Sequence, residues 1–332
     1  MFGIITRLKK TQTFWNVIGT AARFWPANFR AIPESIIIEP TNACNLRCPV
    51  CPTASTMQRK RGMMSMELFR SLIDELAKLG NAPIVNMNFA GEPLLHPRIG
   101  EFVTYASSKK VRTSISTNAT SLTEELAEQL VRGGLTGMRL CIDGMTKEAH
   151  EAYRIGSDFN EVKRNIEMFL AVRKRIGSAS PNCVIQTLAT SLSEKQLDEA
   201  KRWAISIGAD NISIKSLNLH GDAKRAADFA YLLPIDKRYQ RVYSGVRKTI
   251  CGLPQTQAVV YWNGDLGLCC IDYENEVKLG NVAEKGLFET YFSPEAVRQR
   301  RNGMLMQHEI CKTCSLAQAD FLFNVNDFGG KD

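Results

Sequence analysis

Residues 35–216 repeat one pattern, a short apolar run followed by a longer amphipathic stretch. The runs fall at 36–38, 84–89, 112–117, 138–142, 184–188 and 212–215. Each is too short for a helix and reads as a buried strand. Leu68, Leu72, Leu76 and Leu79 make an apolar stripe between the first two, and Gly80 follows in the position that favours a helix end. Ser121 with Glu124, and Ser193 with Gln196, have the spacing of capping boxes before further helices. Six successive strand–helix units imply a parallel sheet covered on both faces, joined by right-handed crossovers. The periodicity fits a partial barrel and a doubly wound sheet alike. In both, function collects at the carboxyl ends of the strands.

Directly after the first run come Cys44, Cys48 and Cys51, spaced C-x3-C-x2-C. Three thiols suit neither a closed zinc site nor a closed iron–sulfur cube, both of which take four ligands. On a four-iron cube they leave one iron open. The motif resembles the signature of the radical S-adenosylmethionine (SAM) enzymes. The resemblance covers roughly residues 35–216 and implies a partial (β/α)6 TIM-like barrel. It also implies a [4Fe–4S] cluster whose open iron holds the amino and carboxylate groups of SAM. One electron then cleaves SAM, and the resulting 5′-deoxyadenosyl radical takes a hydrogen atom from the substrate. A zinc knuckle or unrelated core cysteines are the plain alternative.

Further elements follow the strands. The run from Ala90 to Gly91, Glu92 and Pro93 is similar to the family's GGEP element, with Ala90 in place of the first glycine. The resemblance gives Gly91 and Glu92 to the SAM ammonium. Ser116 and Asn118, in a stretch similar to S-T-N-G with Ala119 for glycine, are expected at the SAM ribose and carboxylate. Cys141, Asp143 and Gly144 resemble S-x-D-G, with cysteine for serine; Cys141 either faces the active site or fills a buried strand as a small apolar residue, and the filler reading is preferred. Arg154 matches a position that pairs with the SAM carboxylate, a role suited to a guanidinium. Gln186, a polar residue in an apolar run, is expected either at adenosine or satisfying the barrel interior. On the residues alone, Asn118 as a turn cap and Arg154 as a surface arginine are the alternatives.

After residue 216 the alternation stops, and 217–250 reads as a charged connector with one or two helices. Residues 259–262 and 266–270, around Asn263, Gly264 and Asp265, read as a β-hairpin. Cys251-x12-Gly264-x4-Cys269, followed by Cys311-x2-Cys314, resembles the start of the SPASM signature in its shorter "twitch" form. That resemblance implies a small hairpin and helix lobe carrying an auxiliary [4Fe–4S] cluster on Cys251, Cys269, Cys311 and Cys314, a zinc ribbon being the alternative. Cys270 is left over. Strand alternation would put it opposite Cys269, either returning a hydrogen atom to a substrate radical or filling the core. Asp272, Glu274 and His220 are candidate bases. The expected division is 1–33, 34–216, 217–250 and 251–332.

Residues 1–33 interleave Phe2, Ile4, Ile5, Leu8, Phe14, Trp15, Ile18, Phe24 and Trp25 with Arg7, Lys9, Lys10, Arg23 and Arg30. Such a basic amphipathic segment either lies on an anionic membrane surface or caps the catalytic domain. No run approaches the ~20 apolar residues of a membrane span, and no secretory signal is visible, so the ten cysteines point to metal binding in a cytoplasmic protein rather than to disulfides. The net charge of +8 favours an acidic partner, and no aromatic–basic motif points to nucleic acid. The leading expectation is a radical SAM oxidoreductase or epimerase acting on a small polar, sugar-like or anionic molecule, with electrons from a flavodoxin or ferredoxin. Its resemblances include aminocyclitol dehydrogenases and aminoglycoside epimerases. The alternatives are a peptide-modifying SPASM maturase and an iron–sulfur electron carrier. The segment before Cys44 is too short for a separate peptide-binding domain, which tilts the expectation to the small substrate.

Overall fold

The computed structural model describes residues 32–219, 227–240, 249–314, 316 and 324–326. The membrane expectation for 1–33 and the His220 assignment therefore lie outside the described residues, apart from positions 32 and 33. Six parallel strands follow the chain in order: β1 (Ser35–Ile38), β2 (Val85–Asn86), β3 (Thr113–Thr117), β4 (Gly137–Cys141), β5 (Asn182–Ala189) and β6 (Asn211–Ser216). Helices α1 (Met66–Ala77), α2 (Ile99–Ser108), α3 (Glu124–Arg132), α4 (Lys147–Tyr153), α5 (Phe159–Ile176) and α6 (Leu197–Ser206) lie between them. Spatial order equal to chain order is the topology of a partial barrel and excludes the doubly wound alternative, whose strand order reverses at a switch point.

Strand alternation divides the labour. Ile36, Ile38, Ile115, Met138, Leu140, Ile185 and Ile212 point outward into one core shared with Phe69, Phe102, Ile166 and Phe169 of the helices. The alternate positions face the barrel interior, and they carry Ser116, Cys141, Gln186 and Lys215. Register brings these together, with Cys141 beside Gln186 and Leu188 beside Lys215.

Two expected helix starts differ. The cap of α3 is Thr123, whose side chain accepts from the Leu126 N–H, rather than Ser121. Ser193 precedes a single 3-10 turn, Glu194–Gln196, without a side-chain cap bond; its hydroxyl instead donates to the Leu188 carbonyl and accepts from the Thr190 N–H, closing the loop after β5. The first helix ends at Ala77, with Lys78 as its C-cap and Gly80 two residues further on at φ +68°.

The C-terminal lobe does more than pack against the barrel. Its strand β7 (Gln257–Val260) pairs in parallel with β1, and β8 (Asp265–Gly267) and β9 (Lys278–Asn281) continue the same sheet antiparallel. At the other edge β10 (Asn324–Asn326) pairs antiparallel with β6, completing ten strands. The expected hairpin forms, but its second strand stops at Gly267. Cys269 and Cys270 therefore lie in the following turn, and strand alternation does not apply to them.

Candidate active site

The loop after β1 carries Cys44, Cys48 and Cys51 to the carboxyl edge of the sheet. A Leu46 N–H lies 3.5 Å from the Cys44 sulfur, and the Cys51 N–H donates to the Cys48 carbonyl at 3.1 Å. The three cysteines line one wall of a cavity of about 500 Å³. The same cavity is lined by Gly91, Glu92, Ser116, Asn118, Arg154 and Gln186. Every residue expected from the barrel motifs at the cluster or at SAM thus reaches one place.

Gly91 makes the close approach of the β2 loop to the cysteine loop possible. It sits at φ +92°, and an added Cβ would lie 2.5 Å from the Thr41 carbonyl oxygen. Next to it, the Glu92 N–H donates to the Ala43 carbonyl at 2.8 Å. The Glu92 carboxylate accepts from the Leu94 N–H (3.0 Å), the Thr117 hydroxyl (2.6 Å) and the Asn118 N–H (2.8 Å). Burial pushes its pKa up, and these three donors and the Arg154 charge pull the other way. A carboxylate has about four acceptor sites, so Glu92 joins β2 to β3 and keeps capacity for one more donor from the cavity. Asn118 is similarly engaged: its Nδ2 donates to the Asn45 side chain at 3.1 Å, and its Oδ1 accepts from Thr120. The residue after it, Ala119, takes φ +61° where the family motif has glycine.

Arg154 follows α4 as its C-cap. Its Nε donates to Asp143 at 2.6 Å, and its Nη1 lies 4.0 Å from the Cys48 sulfur. Burial opposes the guanidinium charge, yet Asp143 and the nearby thiols hold Arg154 protonated. Asp143 also accepts from the Leu188 N–H, and its own N–H donates to His150 Nδ1. Arg154 is a cavity residue, not a surface one.

Cys141 corrects the filler reading. Its side chain lines the cavity, with Ser116 Oγ and Gln186 Nε2 each 3.6 Å from its sulfur. Thr117, Lys215 and Tyr273 also line the cavity and were not singled out in the sequence. Lys215, a charged residue ending an apolar strand, offered the same signal as Gln186. Tyr273 offered none. The described candidate bases are structural: Asp272 accepts from the Glu276 and Val277 N–H groups, and Glu274 from those of Gln58 and Arg59. Neither lines the cavity.

In the lobe, Cys251, Cys269, Cys270 and Cys314 lie close enough that the thiols of Cys269 and Cys270 feel their neighbours' charge, although burial is the larger cause of their raised pKa values. Cys311 is adjacent in the chain, but its sulfur sits 3.9 Å from the Gly303 carbonyl. Cys270 does not line the cavity; it packs with Phe89, Ile37, Val259 and Tyr261.

All ten cysteines are free thiols. Among the described residues no three ligand side chains are already gathered at metal-binding distance, so metal binding would draw each set in and release its thiol protons. The donor sets fit iron and sulfur. Both are purely thiol, the first has three members at a cavity large enough for one drug-sized ligand, and both use N–H groups directed at sulfur, from Leu46 to Cys44 and from Ile271 to Cys269.

The radical SAM superfamily model matches residues 38–204, and the SPASM model, an iron–sulfur cluster-binding domain, matches residues 251–315. The first match alone covers half of the chain. The chain belongs to the radical SAM superfamily. Among its relatives, the tungsten-containing aldehyde ferredoxin oxidoreductase cofactor-modifying protein of Pyrococcus furiosus is 24% identical over 86% of this chain and 89% of its own length. The PqqA peptide cyclase of Streptomyces rochei is 24% identical over 87% of this chain and 83% of its own. SuiB of Streptococcus suis, solved with S-adenosylmethionine, is similar in fold, with a TM-score of 0.62 at 19% identity over 93% of this chain and 77% of that one. BtrN, solved with AdoMet and 2-DOIA, has a TM-score of 0.56 at 18% identity over 88% of this chain and 99% of that one.

As a radical SAM/SPASM enzyme, the protein binds AdoMet and carries a main and an auxiliary iron–sulfur site. The bound cluster and AdoMet supply reductive cleavage of AdoMet and hydrogen-atom abstraction. The chain's own part is positioning. Glu92 and Asn118 lock the cysteine loop to β2 and β3, the Asp143–Arg154 pair places a cation beside Cys48, and the barrel wall encloses the reacting end. No helix among the described residues is long and apolar enough to cross a membrane.

Proposed function

We propose that the protein is a peptide-modifying radical SAM/SPASM maturase, which reverses the preference for a small sugar-like substrate. The observation that carries this reading is the similarity to the PqqA peptide cyclase over 87% of this chain and 83% of that protein. SuiB, similar in fold, has also been solved bound to its precursor peptide SuiA. Cavity size supports it: about 500 Å³ accommodates roughly one drug-sized ligand, which AdoMet itself is. The substrate then enters through the mouth and presents only its reacting segment, as a peptide side chain does.

Within this reading, Cys44, Cys48 and Cys51 hold the AdoMet cluster, and Gly91, Glu92, Ser116, Asn118, Arg154 and Gln186 hold AdoMet. Cys251, Cys269, Cys311 and Cys314 belong to the auxiliary cluster, and Cys270 is left over. The division at 34–216, 217–250 and 251–332 encloses both family matches. A flavodoxin or ferredoxin class donor in the cytoplasm supplies the electron.

The test uses reconstituted full-length enzyme with AdoMet, dithionite and a size-fractionated peptide extract of the native host. 5′-Deoxyadenosine should form faster with the extract, and protease treatment of the extract should abolish the gain. A gain that survives protease would overturn the peptide reading in favour of a small polar substrate, as in BtrN with 2-DOIA.

A further inference from the structure

The lobe places one described side chain, Tyr273, in the wall of the cavity that also holds Cys51. Its ring stacks on Phe89, another cavity residue, with centroids 5.3 Å apart and planes 18° from parallel. Phe89 in turn meets the edge of Tyr261 at 5.5 Å, and Cys270 packs against this same cluster. The two stacked rings therefore stand between the cavity and Cys270. Burial raises the pKa of the Tyr273 hydroxyl, and the neighbouring Cys270, Cys51, Cys269 and Cys314 add to the rise.

The ring is held firmly. Arg59 Nε donates to the Tyr273 carbonyl at 2.5 Å, and the same guanidinium makes both bonds to the buried Glu39 carboxylate, at 3.0 and 2.6 Å. The next residue, Glu274, accepts the Gln58 and Arg59 N–H groups. Asp272, just before, is buried and fully engaged in its own turn. So the loop that follows Cys51 grips the lobe at Tyr273 and Glu274, and the Asp272 turn holds the preceding side.

We propose that Tyr273 is a specificity-determining residue: its ring, stacked on Phe89, is the partition that closes the substrate cavity against the Cys270 thiol and sets how deep a substrate can enter. The proposal rests on the assignment of the cavity to AdoMet, not on the peptide reading. Its force is chemical. Cys270, outside the cluster, keeps a thiol hydrogen that a reactive species generated in the cavity would easily take, and a flat ring between them confines the reaction to the mouth.

The test is site-resolved thiol labelling of the reconstituted holoenzyme with N-ethylmaleimide, with and without AdoMet. In the wild type and in Tyr273→Phe, labelling of Cys270 should be slow and indifferent to AdoMet. In Tyr273→Ala it should rise roughly tenfold, because a barrier that formerly had to open is gone, and AdoMet filling the cavity should suppress the rise. Phe89→Leu should show the same AdoMet-suppressible gain to a smaller degree, and it covers the case in which Tyr273→Ala does not retain its iron. Wild-type labelling in the variant that retains its iron, or a rise that AdoMet leaves unchanged, would overturn the partition. A Tyr273→Phe variant that behaves like Tyr273→Ala would overturn the role of the ring.

Discussion

Gly91→Ala separates two costs that a glycine substitution usually mixes. Gly91 has φ +92° in the loop between β2 and the Glu92 carboxylate, and Gly177 has φ +72° at the end of α5. Both positions are left-handed, and an L side chain there costs roughly 1–2 kcal/mol from backbone strain alone. Space distinguishes them. A Cβ at Gly177 meets nothing within 4 Å, whereas at Gly91 it lies 2.5, 2.7 and 2.8 Å from backbone atoms of Thr41, Ala43 and Asn42.

Those neighbours cannot easily move. The Thr41 hydroxyl donates to the Gly62 carbonyl at 2.8 Å, Asn42 binds Lys60 and Gly62, and the Ala43 carbonyl accepts the Glu92 N–H. Overpacking against a fixed neighbour adds about 1–3 kcal/mol, so Gly91→Ala should cost ~2–5 kcal/mol against ~1–2 for Gly177→Ala. Any relief must come from displacing the segment that leads into Cys44. Anaerobic guanidinium unfolding of the reconstituted variants gives the two midpoints, and iron content with EPR gives the loading. Gly91→Ala should unfold earlier than Gly177→Ala and lose the AdoMet-sensitive signal, while Gly177→Ala keeps it. Equal midpoints, or an intact signal in Gly91→Ala, would refute the close-approach account.

His150 is 1% exposed, and burial lowers its pKa from 6.5 to about 4. The unfolded chain therefore takes up the proton first; stability is intact above pH 6.5 and falls by up to ~3 kcal/mol as pH drops toward 4. His150→Gln should flatten that slope in unfolding midpoints measured across the window, and an unchanged slope would clear the histidine. Arg59→Met strands the fully buried Glu39 carboxylate and should cost ~3–5 kcal/mol, with much of the loss regained by adding Glu39→Gln; denaturation of the double variant checks the coupling. Cys48→Ala and Cys314→Ala should each remove about four of about eight irons, and only Cys48→Ala should abolish the AdoMet-perturbed EPR signal.

The barrel was legible because its strands carry their signal locally. Ile36, Ile38, Ile115 and Ile185 alternate with polar or interior positions whether or not their partners are known. The cluster loop was legible because three thiols at that spacing are chemically unusual. Cys141 was misjudged for a physical reason: composition shows that a strand is buried but not which of its faces meets helices and which meets the cavity. That depended on the pairing of Cys141 with Gln186. The carboxylates Asp272 and Glu274 look like bases in a sequence, but their N–H donors come from a turn and from a loop more than 200 residues away. Tyr273 had no local signal at all, since its place in the cavity is created by Arg59, Phe89 and the lobe together.

The parallel pairing of β7 with β1 explains why such distant segments meet reliably. Ile38 and Val260 share a rung, and the Glu39 N–H extends the ladder to the Val260 carbonyl at 2.9 Å. From that rung one chain continues through Pro40 to Cys44, and the other through Tyr261 and the Gly264 turn to Cys269. Glu39 binds both departures, through Arg59 on one side and the Trp262 N–H at 3.2 Å on the other. The spacing between the two cysteine sets is thus fixed by strand register and by one buried ion pair, not by the length of the connector. A slip of one residue in β7 would turn Val259 and Val260 to the opposite faces of the sheet, placing Val260 among the barrel-facing residues and Val259 in the helix-covered core. Because these two valines are fully buried on different sides, the hydrophobic core itself specifies the register that sets the two cysteine segments relative to one another.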